Sequence, residues 1–310
     1  MALIISPKNI KTAEEILSKG GLVAFPTETV YGLGGNAYSD TVVAKIFECK
    51  NRSEFNPISI CYPNLKSASS DIEITKTAEL IAKKFLPGSV TLVLKRKKNC
   101  KISPLCSAGL DTIGIRVPAN PVALQLLSEL DFPLAAPSAN TSGKLSHTTA
   151  ESVAEDIGNN SNNNIAILDG GKCNVGIEST IIDCSSKKWI IIRRQGAVAT
   201  EEIMQKCGIS AENIIVEEKP KTFTISKKIL LNTQITTEND ALLAFGEPVA
   251  TKYKYALNLS KSGNLEEAAV NFFTMLQKLE NSDVKKICVM PIPNIGLGKA
   301  INSRLKALVK

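Results

Sequence analysis

The chain has 310 residues, 44% of them apolar and 22% charged, with 37 Lys and Arg against 30 Asp and Glu and a single His. A chain of this length can fold into about two domains with large cores, its apolar content excludes disorder, and it holds no run near the ~18 apolar residues that a membrane helix needs. The eight cysteines lie scattered with no C-x-x-C pair, and His147 stands at no zinc-ligand spacing, so zinc sites and H-E-x-x-H chemistry are excluded and the thiols read as reduced. Residues 1–10 lack a basic n-region and break at Ser6-Pro7, which predicts an uncleaved, cytoplasmic protein. The net charge of +7 is spread evenly along the chain, but it is carried by 31 Lys and only six Arg. Where Lys is the ordinary surface cation, each Arg is a candidate for a place that needs a planar, bidentate donor.

In chain order, Thr12 and Glu15 at capping-box spacing predict a first helix that stops at Gly20-Gly21. A buried strand follows at 22–25 and ends at Pro26. Asp40 is expected to cap a helix over 41–49, and a further helix spans about 75–85 before Pro87-Gly88. Strands are predicted at 90–94 and at 112–117, the second with a polar face of Thr112, Gly114 and Arg116. Asn120-Pro121 reads as N-cap and N1 of a helix, and a helix over 149–157 ends at Gly158, before an Asn-rich loop at 159–164. Strands at 165–168, 177–183 and 189–193 precede a helix capped by Thr200. Strands and helices alternate without a strict βαβ rhythm, so the fold class is α/β with a mixed twisted β-sheet and flanking helices. Beyond Gly208 the pattern weakens, and residues 209–228 read as a linker to a second α/β unit over 229–310. That unit has strands at 229–231, 241–245, 255–259 and 287–290, a long helix over 265–279, and a last helix with Ile301, Leu305 and Leu308 on one face.

Several clusters can carry chemistry. Pro26 to Gly34 (PTETVYGLG) packs two Thr hydroxyls, a carboxylate and a phenol into a turn after a strand, although it lacks the spacing of a phosphate loop. Lys50-Asn51-Arg52, with Asn56-Pro57, suits either a helix dipole or a polyphosphate. Arg116 on a strand face needs a partner, either a ligand carboxylate or an internal acid. The loop Pro137 to Gly143 (PSANTSG), followed by Ser146 and Thr148, crowds small donors before a helix, as phosphate binding favours. Gly176 to Thr180 and Arg193 to Gly196 complete the set.

In this order, PTETVYGLG, K-x-R with N-P, TIGIRVP, APSANTSG with S-x-T, GIESTIID and an R-x-G turn resemble the YrdC-like domain of threonylcarbamoyl-AMP synthases over roughly residues 10 to 206. LLAFG at 242–246, LEEAAVNFFTML and PIPNIGLGKAINSRL are similar to the second domain of the two-domain form of that family. The resemblance implies a YrdC-like catalytic domain over 1–208 followed by a smaller Rossmann-like α/β domain. It also implies a nucleotidyltransferase that joins L-threonine, bicarbonate and ATP into threonylcarbamoyl-AMP and pyrophosphate for tRNA modification. Lys50, Arg52, Ser138 and Asn140 would be catalytic. These four, with Asn56, Thr112, Ser146 and Arg194, would line ATP, while Thr29, Cys61, Arg116, Ala136, Ser179 and Thr180 would surround threonine. Mg²⁺ is expected with the triphosphate rather than on the protein, and tRNA or its threonylcarbamoyl-transfer machinery is the expected downstream partner. Carbamate attack on the α-phosphorus needs positioning and charge neutralisation, which agrees with a site poor in His.

Three departures from the family pattern stand out. Cys61 occupies a position where relatives commonly have His, Leu86 and Ser89 replace the usual Trp and Pro, and residues 220–232 lack the H-Y-x-P segment of the interdomain linker. The competing reading is a non-catalytic tRNA or double-stranded RNA binder using Lys95-Arg96-Lys97-Lys98 and Lys101, although no aromatics interleave there. GLGKA at 296–300 lacks Walker spacing and reads as a turn before the last helix.

Overall fold

The protein is described here from a computed structural model covering residues 2–158, 165–186, 188–217, 223–233, 240–247 and 255–309. The loop expected at 159–164 and the 218–222 part of the linker lie outside the described residues.

The larger sheet runs in the order Leu3–Ile5, Ile165–Leu168, Leu22–Phe25, Gly32–Asn36, Leu134–Ala135, Ile60–Cys61, Thr112–Arg116, Val90–Arg96, Thr180–Asp183, Ile190–Arg194 and Ile214–Val216, with Ile72–Glu73 paired beside Val90–Arg96. Parallel and antiparallel pairings alternate irregularly along it, which is the mixed sheet anticipated above. Ile214–Val216 pairs in parallel with Ile190–Ile192, so the first part of the stretch read as linker is the edge strand of this sheet. Helices cover the sheet, and their apolar faces join it in one large core around Tyr31, Ile46, Ile60, Ile81 and Leu92 and a second around Leu17, Val23, Phe25 and Leu126.

The C-terminal unit is a four-stranded parallel sheet in the order Lys228–Leu231, Lys286–Val289, Ala241–Ala244, Tyr255–Asn258, with helices Leu265–Glu280 and Leu297–Leu308. Its core takes in Val30, Leu145 and Ile177 from the first unit, so the two units share one apolar contact. No helix among the described residues is long and apolar enough to cross a membrane.

Several boundaries differ from expectation for identifiable reasons. Ser6 accepts from the Lys8 N–H and opens a short 3₁₀ turn that runs directly into the first helix at Ile10, which leaves Thr12 inside that helix rather than capping it. Ser39, not Asp40, caps helix Asp40–Lys50, and Asp40 places its carboxylate in the first turn, against the positive end of the dipole. Ala199 is the N-cap of helix Thr200–Cys207, and the Thr200 hydroxyl instead donates to Gln195 Oε1 at 3.2 Å. Asn120 does cap helix Pro121–Glu129, accepting from the Val122 and Ala123 N–H groups. The strand expected over 177–183 begins only at Thr180, because the Glu178 and Ser179 carbonyls already accept from Ala197 N–H and Arg194 Nε.

Candidate active site

The turn joining Leu22–Phe25 to Gly32–Asn36 is held by one hydroxyl. Thr27 Oγ1 accepts from the N–H groups of Thr29 (3.1 Å) and Val30 (3.2 Å) and donates to the Val30 carbonyl at 2.6 Å, a side-chain-stabilised turn. Gly32 and Gly34 of the Gly-x-Gly sequence lie within the following strand, where a Cβ on Gly34 would stand 2.9 Å from the Phe25 ring. Packing against Phe25 therefore accounts for a glycine there, without a phosphate.

Strand Thr112–Arg116 delivers Arg116 beneath this turn. Its Nη2 donates to Glu28 Oε1 at 2.6 Å and to Thr29 Oγ1 at 2.7 Å, so the partner left open by the sequence is an internal acid. Glu28 also accepts from Ala119 N–H (2.9 Å) and Ser89 Oγ (3.1 Å). Burial alone would raise the Glu28 carboxyl, but the Arg116 charge and these hydrogen bonds outweigh it and hold the group below its ordinary value. Arg116 Nε is buried and has no hydrogen-bond partner. Cys61 lies in register with Arg116 on the adjacent parallel strand, and burial pushes its thiol up to about 11 despite the nearby guanidinium. It is therefore a neutral thiol at neutral pH. Ala136 is half-buried, its N–H bonded to the Ser59 carbonyl at 2.9 Å.

The second wall is the 137–143 loop. Lys50, in the last turn of helix Asp40–Lys50, is buried and donates its ammonium to the carbonyls of Ser138 and Asn140, while its own carbonyl accepts from Ser142 N–H at 2.8 Å. Lys50 thus fastens this loop from within. Asn140 Nδ2 donates to the Thr141 and Lys144 carbonyls, both at 2.8 Å, and leaves a buried Oδ1 with no partner. Asp156 anchors the far side through Thr141, Lys144 and His147, and these contacts overcome its burial and hold it well below the carboxylate range. The lone His is thereby bound into the scaffold. After Lys50 the chain turns at Asn51 (φ 48°), and Arg52 folds back to donate Nε to the Asn56 carbonyl at 3.2 Å and Nη2 to that of Pro57 at 2.8 Å. Asn56 is exposed on the rim. Thr112 sits opposite Lys95 at the other end of the strand from Arg116, about 13 Å away at the usual rise per residue.

Strands Thr180–Asp183 and Ile190–Arg194 form the third wall. Arg194 donates Nε to the Ser179 carbonyl (3.0 Å) and Nη2 to Ser179 Oγ (3.1 Å), and that hydroxyl also meets Thr91 Oγ1 at 2.8 Å. Thr180 exchanges two hydrogen bonds with the Val198 backbone. Ser146 donates to Glu178 Oε1 at 3.0 Å, and Glu178 Oε2 receives Arg304 Nε at 3.1 Å. Burial pushes both Arg52 and Arg194 down to about 10, so both stay cationic at neutral pH, and Arg194 also feels the charges of Arg304, Arg116 and Arg52. Three of the other five arginines thus act electrostatically on Arg194. The other two are tied locally, Arg96 to Ser107 and the Ile102 carbonyl and Arg193 to Asp183 and Glu217. From the sequence neither Glu28 nor Arg304 had a site role, the first being marked only as the carboxylate of the Pro26–Gly34 turn and the second only as one of six scarce arginines.

Guanidiniums beside small hydroxyl and amide groups are suited to a polyanion. Among the described residues no group of three or more His, Cys, Asp or Glu is placed to hold a metal ion. A groove of about 390 Å³ lies between residues 146–155 and helix Leu265–Glu280, but it contains Glu151 and Glu155 against Lys278 and no arginine, which disfavours a triphosphate there. Within the Lys95–Lys98 run, Arg96 is tied as above and Lys97 donates to the Ser69 carbonyl at 2.6 Å, which reduces what the run could offer to RNA.

The Sua5/YciO/YrdC family model, described as telomere recombination, matches residues 15–195, and the model described as threonylcarbamoyl-AMP synthase, C-terminal domain, matches 201–307. The chain is 33% identical to the threonylcarbamoyl-AMP synthase of Pyrococcus abyssi, over 96% of this chain and 93% of that protein. It is 32% identical to the Bacillus subtilis synthase, over 96% and 91%. The crystal structure of P. abyssi Sua5 complexed with L-threonine superposes with a TM-score of 0.87 at 29% identity, covering 99% of this chain and 97% of that one. At 23% identity, E. coli YciO shares the fold of the first unit with a TM-score of 0.55. With both family models matched in order and the relatives aligned nearly end to end, the chain belongs to the threonylcarbamoyl-AMP synthase family in its two-domain form.

Proposed function

We propose that the chain condenses L-threonine with bicarbonate and transfers the resulting carbamate to the α-phosphorus of ATP, forming threonylcarbamoyl-AMP and releasing pyrophosphate. What carries this reading is the nearly end-to-end match to threonylcarbamoyl-AMP synthases, together with the guanidiniums of Arg52, Arg116 and Arg194, the kind of donor that a triphosphate and a carbamate anion need. Threonine lies between the Thr29 turn, Cys61, Ala136 and the Ser179–Thr180 segment, with its carboxylate at Arg116, whose unpartnered Nε is a donor of the right kind. ATP lies along Arg52, Asn56, Thr112, Ser138, Asn140, Ser146 and Arg194. Lys50 acts mainly by holding the Ser138 and Asn140 carbonyls, and Asn140 Oδ1 supplies an acceptor to the nucleotide.

The amine of threonine attacks the carbon of bicarbonate, and water leaves to give the carbamate. A carbamate oxygen then attacks the α-phosphorus in line, the bond to the bridging oxygen breaks, and pyrophosphate departs with that electron pair. No protein nucleophile is required, because the carbamate is already anionic. Guanidiniums fixed before the reaction stabilise the charge that builds up on the phosphorus oxygens. Mg²⁺ would be carried by the triphosphate, since among the described residues no group of three or more His, Cys, Asp or Glu is placed to hold it. Supply of the product to the machinery that modifies tRNA adenosine completes the proposed role.

The test is incubation with ATP, bicarbonate and L-threonine, following threonylcarbamoyl adenylate by mass and pyrophosphate by release. Both should vanish when threonine is omitted. Arg52→Ala and Ser138→Ala should each lose at least about 100-fold in turnover, the scale of removing one preorganised charge-stabilising donor; turnover within twofold of the parent in both would refute these assignments.

A further inference from the structure

The C-terminal domain enters the site through one side chain. Arg304 lies on the buried face of helix Leu297–Leu308, beside Ala300, Ile301, Leu305 and Leu308, and is itself 3% exposed. Its Nε donates to Glu178 Oε2 at 3.1 Å, and its Nη1 donates to the Gln195 carbonyl and, within its own helix, to the Ala300 carbonyl at 3.2 Å. The guanidinium thus reaches across the domain boundary to the two segments that form the third wall of the site. Glu178 passes the contact on to Ser146 through its other oxygen, and Gln195 adjoins Arg194, which grips Ser179.

The boundary itself is closely fitted. Gly176 (φ +73°) approaches helix Leu265–Glu280 so nearly that a Cβ there would fall 2.5 Å from the Ala269 carbonyl oxygen and the Val270 Cα. Thr148 and Thr274 share a hydrogen bond of 2.9 Å, and Lys172 donates to Asn271 at 3.1 Å. An interface meant only for adhesion has no need of a charge in its interior. A second observation points toward the site: Arg304 Nη2 is buried without a partner, as are Arg116 Nε and Asn140 Oδ1. Buried orphans are uncommon in folded proteins, and among the described residues four of the five lie on Arg116, Arg304 and the 140–142 stretch, the fifth being Glu280 Oε2 at the end of helix Leu265–Glu280.

We propose that Arg304 is a positioning residue of the active site, holding Glu178 and the Gln195 carbonyl so that Ser146 and the Arg194–Ser179 pair meet the nucleotide in their working geometry. This assigns the C-terminal domain a part in the chemistry of the first domain and rests on the function proposed above. Arg304 acts through its neighbours, and its removal is felt chiefly in ATP binding, because Ser146 and Arg194 both belong to the nucleotide wall.

The experiment compares the parent with Arg304→Met, which keeps an apolar stem without donors, and Arg304→Lys, which keeps the charge but cannot bond Glu178 and Gln195 with a planar fork. Initial rates of threonine-dependent pyrophosphate release are measured against ATP at saturating threonine and bicarbonate, with the folded fraction fixed by near-ultraviolet circular dichroism. Arg304→Met should raise the KM for ATP on the order of tenfold, the size of a typical pairwise coupling, and Arg304→Lys should fall between it and the parent. Added guanidinium ion should restore part of the loss in Arg304→Met. A KM equal to the parent's, with a rate lowered only in proportion to the folded fraction, would mean a purely structural arginine and overturn the proposal. If Arg304→Met does not fold, Arg304→Lys decides by the same measure, and a parental KM in it overturns the proposal. A parent that releases no pyrophosphate refutes the assigned reaction; equilibrium binding of ATP to parent and variants then decides the role of Arg304, with equal affinities overturning it.

Discussion

At the scale of single residues, Arg116 and Glu28 depend on one another. Each is nearly buried, and removal of either strands a charge. Arg116→Ala should therefore lower the unfolding free energy by about 3 kcal/mol or more at neutral pH, read from denaturant titration, besides abolishing threonine binding. The sign of the pH dependence follows from the lowered Glu28 carboxyl. Its folded value lies below the ordinary 4.5, so the pair stabilises the fold above that pH and loses its contribution as the pH falls through the folded value. The gap between parent and variant should accordingly be largest near neutrality and narrow below pH 4.5; a gap independent of pH would show that Arg116 contributes by packing alone. The sequence marked Arg116 because a guanidinium on a strand face needs a partner. It could not choose Glu28 from among 30 acids, since the two stand 88 positions apart and meet only when the Thr27 turn lies over the strand.

Among elements, the approach of the turn after Ile190–Arg194 to the start of Thr180–Asp183 is the tightest point in the site. A Cβ on Gly196 would stand 2.4 Å from the carbonyl carbon and oxygen of Ser179 and from the N–H nitrogen of Thr180, all backbone atoms that cannot rotate away. Gly196→Ala should cost about 1–3 kcal/mol as overpacking and displace the Ser179 hydroxyl from Arg194, so stability and threonine affinity should fall together. A variant with parental melting and parental affinity would contradict this geometry. The elements themselves were largely legible, because periodic apolar spacing and a cap such as Asn120 are local signals, while Thr75 and Thr149, read as the first residues of their helices, are their N-caps. Thr12, Asp40 and Thr200 misplaced helix starts by one to three positions where another side chain or a preceding turn supplied the first contacts. Residues 177–179, read as the polar start of the strand, left the ladder because contacts from 194 and 197 claimed the carbonyls of Ser179 and Glu178.

For the whole molecule, the cysteine reading has a direct test. None of the eight thiols is in a disulfide, seven are buried, and Cys100 alone is half-buried. Burial pushes Cys61 up to about 11 and Cys106 and Cys173 up to about 12, so thiolate is scarce in the native state at pH 8. Alkylation of the native protein followed by mass should add one group, at Cys100, well before any other, and all eight only after denaturation; fast uptake of several groups would mean a looser core. Motif order along the chain pointed to the first domain and to a candidate site in it, whereas Arg304 was marked only by the scarcity of arginine. One Arg on an amphipathic helix resembles any other until its partner, 126 positions earlier, is known. That separation also carries a consequence for synthesis. At roughly 5–20 residues per second, a nascent chain waits about 6–25 s between adding Glu178 and adding Arg304. Through that interval Glu178 has no Arg304 to pair with, so the first domain emerges from the ribosome before the arginine that spans the domain boundary has been made.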